Sequence, residues 1–141
     1  SDEQSRQLWR IRESIPEAQF ANVKHDVSVA VSKTPQLIGR GGAGLKKAFP
    51  EARPYVFGHV GDGNLHYNIG PEALLKQRAA VNRIVYDAVG ALGGSISAEH
   101  GLGQLKREEI RAHKTPVEME LMRTLKQALD PQGLMNPGKL L

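Results

Sequence analysis

An Asp-Gly pair flanked by alternating residues, His59-Val60-Gly61-Asp62-Gly63-Asn64-Leu65-His66, constrains the folding of this chain more than any other stretch. Such a pair between two alternating runs predicts a β-hairpin with a two-residue turn. With Asp62 and Gly63 as the turn, Gly61 opposes Asn64, Val60 opposes Leu65 and His59 opposes His66. Directly opposed residues of an antiparallel pair hold their Cβ atoms roughly 5 Å apart on one face, close enough for two imidazoles to share a divalent metal. The plainer reading is a structural hairpin with two surface histidines.

Further along, Gly93-Gly94-Ser95-Ile96-Ser97-Ala98-Glu99-His100-Gly101-Leu102-Gly103 reads as a short alternating strand ending in a carboxylate and a histidine among glycines. Two histidines plus one carboxylate form a common ligand set that leaves positions open for substrate. That makes His59, His66 and Glu99 the candidate metal ligands.

The intervening pattern predicts the rest of the fold. Leu8, Ile11 and Ile15 form one stripe of an opening helix that Pro16 limits. Val23 to Val31 alternates as a half-buried strand, and a helix covers about Pro35 to Ala48 from a Ser32/Thr34 cap. Hairpin strands at about 53–60 and 64–70 precede a helix opened by Pro71-Glu72 and ended by Gly93-Gly94, and Ser95 to Glu99 is a fourth strand. The order β-α-β-β-α-β is the split unit of a ferredoxin-like α+β fold, an antiparallel sheet with both helices on one face. A short helix near Gln104 to Ala112 and a last one from Thr115, with a capping box and Pro116 at its first position, complete a single domain over 1–141.

Alternation then sorts the sheet. Val27, Val29, Val56, Val60, Leu65, Ile69, Ile96 and Ala98 should face the helices, and the other face carries Lys24, Asp26, Ser28, His59, Asn64, His66, Asn68, Ser95, Ser97 and Glu99. Solvation explains the serines on such a face. It explains less well why histidines, Glu99, Lys24 and asparagines collect there.

Composition narrows the function. The 141 residues include no cysteine, which excludes disulfides and thiolate metal sites and suits a reducing compartment, cytoplasm by default. A net charge of +4, aromatics at 5% and no Lys/Arg block give no nucleic-acid surface, and no apolar run is long enough to span a bilayer. The start Ser1-Asp2-Glu3, without methionine, reads as a piece of a longer protein. Gly39-Arg40-Gly41-Gly42-Ala43-Gly44 fits the dinucleotide fingerprint literally but lacks the strand before it, so it reads as a glycine-weakened helix. His25 and His113 have no partners at useful spacing and read as surface or boundary residues.

Four strings in order, Lys24 to Val29, Phe57-Gly58-His59 through Asn68, Gly94 to Gly101, and Leu129-Asp130-Pro131 through Asn136-Pro137-Gly138-Lys139, closely resemble the C-terminal domain of FAD-linked 2-hydroxy acid dehydrogenases. This family includes D-2-hydroxyglutarate dehydrogenase, flavin-dependent D-lactate dehydrogenase and the flavin subunit of glycolate oxidase. The resemblance implies a divalent metal, Zn or Mn, on His59, His66 and Glu99, with His100 as general base. Arg12, Lys24 and Asn68 match substrate-binding positions, and Asn136 and Lys139 in the tail are the candidates for touching the flavin. It further implies that FAD is bound mainly by another domain of the same polypeptide, that the substrate is a small D-2-hydroxy acid, and that this chain alone does not turn over. It specifies no electron acceptor. Pro16 stands where 2-hydroxyglutarate members carry a hydroxyl residue, which argues against a longer diacid. Ala30 replaces the usual proline of the first-strand motif, a structural difference only. The alternatives are a metal-binding or ligand-sensing module without redox activity, and metal-assisted hydrolysis by the same His/His/Glu set.

Overall fold

The computed structural model describes residues 1–19 and 21–141. The chain forms an α+β fold of helix α1 (Asp2–Ser14), strand β1 (Asp26–Ser28), helix α2 (Thr34–Ala48), strands β2 (Arg53–His59) and β3 (Asn64–Gly70), and helices α3 (Arg78–Gly90), α4 (Arg107–His113) and α5 (Pro116–Leu129). The strands are antiparallel in the order β1-β3-β2. The capping box predicted at Thr115 is present, its hydroxyl accepting from the Glu118 N–H while the Glu118 carboxylate accepts from the Thr115 N–H. A second box, Ser1 with Gln4, starts α1.

Two expectations about the sheet are corrected. The hairpin closes at His59 opposite Asn64, so that Phe57, and not His59, stands opposite His66. Both favoured two-residue turns need positive φ at the first central residue, here Asp62, and of the pair only Gly63 adopts it, at φ +74°. Asp62 instead accepts the Asn64 N–H on its carboxylate at 2.9 Å, and the loop widens to the four residues 60–63. The slip is two residues, so side-chain parity survives and His59 and His66 still share a face. Val60, expected in the core, is displaced into the loop and is 87% exposed.

The predicted fourth strand is reduced to one bridge, Ser95 with Ser28. Beyond it the segment leaves the ladder, because the Asp26 side chain takes the backbone N–H groups that a strand partner would have taken. β1 is likewise short, although Val23 bridges Ile69 on its N-terminal side.

Helices α2 and α3 cover the apolar face through Leu37, Leu45, Val81, Val85 and Val89, which pack with Val23, Val27, Leu65 and Ile69 of the sheet region. The glycines of α2 permit this closeness. A Cβ on Gly41 would lie 2.6 Å from the Tyr67 hydroxyl oxygen, and one on Gly44 would lie 2.9 Å from Ile84. The Tyr67 hydroxyl donates to the Ile38 carbonyl, tying β3 to the helix above it.

His25 is corrected too, being 1% exposed in this core. It neighbours Lys24 and Asp26 in an alternating segment, so its side chain points to the helix face. There Nδ1 meets the Tyr67 carbonyl at 2.7 Å and Nε2 the Asn82 side-chain amide at 3.0 Å. Helix α1 differs from α2 and α3. None of its residues is buried, and Leu8, Trp9 and Ile11 lie open.

Candidate active site

The polar sheet face opens into a cavity of about 780 Å³. Lys24 and Asp26 come from β1 and the residues just before it, Phe57 from β2, and His66 and Asn68 from β3. Glu99 and His100 close it from the turn that follows the Ser95 bridge, while Arg12 reaches in from α1 and Lys139 from the tail. Strand alternation is the local reason for this convergence: Asp26 and His66 are register partners, and Asn68 lies two residues further along β3 on the same side.

Within the cavity, Asp26, His66, Glu99 and His100 bring one nitrogen or oxygen each within 4.8 Å of one another. His66 Nε2 lies 3.5 Å from Glu99 Oε1. That separation is close to the roughly 3.4 Å expected of two ligands each about 2.1 Å from one tetrahedral zinc. The rings of His66 and His100 stack with centroids 5.8 Å apart, and Phe57, the register partner of His66 on β2, holds its ring centroid 5.0 Å from that of His66. The Arg12 guanidinium sits 5.2 Å over the Phe57 ring.

Electrostatics favour a metal-ready imidazole. Burial lowers the pKa of His66, with Glu99 and Asp26 pulling the other way, so the neutral ring that binds metals is the favoured form. Burial would raise the Asp26 carboxyl, but the backbone N–H groups of His100 and Glu99 outweigh it and hold the group below its ordinary value. Lys106 lines the same cavity and donates to the Ile96 carbonyl; its burial lowers the amine pKa against the pull of Asp26 and Glu109.

The structure therefore brings together His66, Glu99, His100, Arg12, Lys24, Asn68 and Lys139. Asn68 is fixed by its amide donating to Gln19 at 3.0 Å. His59 lies outside the four-residue group, its ring centroid 6.2 Å from that of His66 on the same face, and it lines a neighbouring depression with Trp9 and Arg12. Asn136 does not line the cavity and stands at φ 48° in the tail. Sequence reasoning placed Asp26 on the polar face without a role, and it passed over Phe57 and Lys106. Alternation could have found Phe57. The position of Lys106 depends on how the segment after Gly101 folds back, which no local pattern encodes.

Comparison with known proteins adds a family. The family model described as FAD linked oxidases, C-terminal domain, matches residues 1–140. The chain is 40% identical over 148 residues to a D-2-hydroxyglutarate dehydrogenase of Stutzerimonas stutzeri (strain A1501), covering 99% of this chain and 32% of that protein. It is 40% identical over 147 residues to the mitochondrial D-2-hydroxyglutarate dehydrogenase of Bos taurus, with 100% and 26% covered. The Arabidopsis thaliana mitochondrial protein of that name is 40% identical over 144 residues, with 98% and 25% covered. The chain thus spans about a quarter to a third of the length of these curated relatives. Among the described residues no helix is long and apolar enough to cross a membrane.

Proposed function

We propose a function from one settled premise: this chain belongs to the family of FAD-linked oxidase C-terminal domains. On that premise it is the substrate-holding and metal-holding part of a flavoprotein that oxidises a D-2-hydroxy acid to the 2-keto acid. The partner is an FAD-binding domain of the same polypeptide. The observation that carries this reading is the convergence of His66, Glu99 and His100 in a cavity rimmed by cationic Arg12, Lys24 and Lys139.

The donor set suits a divalent ion such as Zn²⁺ or Mn²⁺. His66 and Glu99 offer free ligand atoms 3.5 Å apart. His59, one diagonal step away on the same face with its ring centroid 6.2 Å from that of His66, would be the third ligand. When bound, the ion would supply Lewis acidity and the flavin of the partner domain the oxidising equivalent.

The chain's own residues do the rest. Arg12 and Lys24 hold the substrate carboxylate by charge, and Lys139 adds a cation where the tail borders the cavity. Asn68, pinned by Gln19, orients the substrate against β3. His100 is the general base. Its Nδ1 lies 3.8 Å from the Asp26 carboxylate and its Nε2 3.9 Å from that of Glu99, which places the ring beside the ion-binding group to take the hydroxyl proton. The proposed location is the cytoplasm, in keeping with a chain free of cysteine; the cattle and Arabidopsis relatives are named as mitochondrial, a location that composition suits equally.

The test uses the full-length protein. Zn²⁺ or Mn²⁺ titration should show one ion per chain, weakened at least tenfold by His66→Ala, and D-2-hydroxy acids should reduce the bound flavin. D-lactate against D-2-hydroxyglutarate decides the substrate length. A full-length protein whose flavin is reduced by no D-2-hydroxy acid sinks the reading.

A further inference from the structure

The turn that carries Glu99 and His100 belongs to no helix or strand. Its three consecutive backbone N–H groups share one acceptor. Asp26 Oδ2 lies 3.1 Å from the nitrogen of Ala98 and 2.9 Å from those of Glu99 and His100. Consecutive amides converging on one point form a concavity that binds an anion. Here the anion is a side chain of the same protein, reaching across a separation of 72 to 74 residues.

Asp26 is built for that task. Its side chain is 2% exposed, so the three bonds are shielded from water. In the sheet it stands opposite His66. One residue therefore joins the strand that bears one candidate ligand to the turn that bears another. The carboxylate is poorly placed to bind an ion itself. Oδ2 already accepts three donors, and Oδ1 is enclosed, with no hydrogen-bond partner and no access to solvent.

We propose that Asp26 is the positioning residue of this site: it ligates nothing, and by holding the 98–100 turn against β1 it sets Glu99 and His100 at working distance from His66. This role rests on the function proposed above for those three residues. Because Glu99 and His100 are neighbours on one turn, loosening it moves ligand and base together. Arg12 and Lys24 belong to other segments and keep their hold on the substrate carboxylate. The signature is thus a fall in rate at saturating substrate with little change in KM.

The experiment compares full-length wild type with Asp26→Ala and Asp26→Asn. Amide hydrogen exchange is read first. Exchange at 98–100 should be at least tenfold faster in Asp26→Ala, with Asp26→Asn between because it keeps one accepting oxygen, while amides 64–70 stay protected. Zn²⁺ affinity and the flavin reduction rate should each fall by roughly 10- to 100-fold, the usual effect of losing a residue that orients a metal ligand, with KM changed less than threefold. Wild-type exchange at 98–100 in the variants removes the clamp. Faster exchange with wild-type metal affinity and rate removes the positioning role. Abolished Zn²⁺ binding in Asp26→Asn with the turn still protected makes Asp26 a ligand and overturns the proposal. Should Asp26→Ala fail to fold, the Asn variant carries the same comparison. The exchange measurement needs neither metal nor turnover. A wild type that binds no Zn²⁺ therefore defeats the proposed function separately, by its own readout.

Discussion

The two faces of one sheet use the same strands for opposite ends. On the helix face, Val27, Tyr67 and Ile69 are fully buried and a histidine, His25, is enclosed with them. On the other face, one residue along, Asp26, His66 and Asn68 border an open cavity. The contrast between His25 and His66 is the instructive one. Both rings are pushed toward neutrality by burial, yet His25 has its nitrogens engaged by the Tyr67 carbonyl and Asn82, whereas His66 keeps Nε2 facing the Glu99 carboxylate and the cavity. A buried histidine becomes a ligand only where its second nitrogen is left free.

If the faces are separable, substitutions on one should leave the other's property alone. The largest effect belongs to His100, whose side chain is 64% exposed. In the full-length protein His100→Asn should lower flavin reduction by roughly 10² to 10⁴ while leaving the melting temperature within a degree or two. A large drop in melting temperature would break the separation.

Next comes the helix face. Ile69→Ala should cost about 2–5 kcal/mol of stability in chemical denaturation, since a fully buried side chain leaves a cavity behind. Below the unfolding transition its flavin reduction rate should match wild type. A rate loss comparable to that of His100→Asn would mean that the two faces are mechanically coupled.

Acid should act through His25. Burial lowers its folded pKa from 6.5 to about 4. Above pH 6.5 neither state binds the proton and the group contributes nothing. Between pH 6.5 and about 4 the unfolded chain takes up the proton and the folded one does not, so stability falls as pH falls. The loss between pH 7 and 4.5 should be on the order of 2 kcal/mol by urea unfolding, and His25→Gln should flatten that slope. An equal slope in both proteins would assign the acid sensitivity elsewhere.

The smallest effect sharpens the packing side. Gly41→Ala places a methyl against the Tyr67 hydroxyl and should cost about 1–2 kcal/mol. A stabilised Gly41→Ala variant would show that α2 can lift from the sheet without penalty.

The features legible in the sequence were those set by local periodicity. Which residues share a face follows from alternation, and that survived even where the hairpin register did not, because a slip of two residues preserves parity. The register itself turned on whether Asp62 would adopt positive φ or use its carboxylate to cap Asn64, a choice that two loop lengths satisfy equally well in sequence terms. His25 reads as a boundary residue because nothing nearby pairs with it; its side-chain partner, Asn82, is 57 residues away. The reduction of the fourth strand to a single bridge had the same origin. Its alternation is real, but a distant carboxylate competes for its amides.

The placement of the 95–100 segment also bears on how the molecule behaves in a crowded solution. A sheet ends in strands whose outer N–H and C=O groups can recruit another chain. One outer strand, β2, carries Arg53 and Pro54, a charge and a residue with no N–H to offer. The other, β1, is bordered by Ser95 on its backbone and by residues 98–100 on its Asp26 side chain. The segment that bears Glu99 and His100 is therefore also the selvedge of the sheet. A single loosened turn would therefore displace Glu99 and His100 and favour edge-to-edge self-association at the same time.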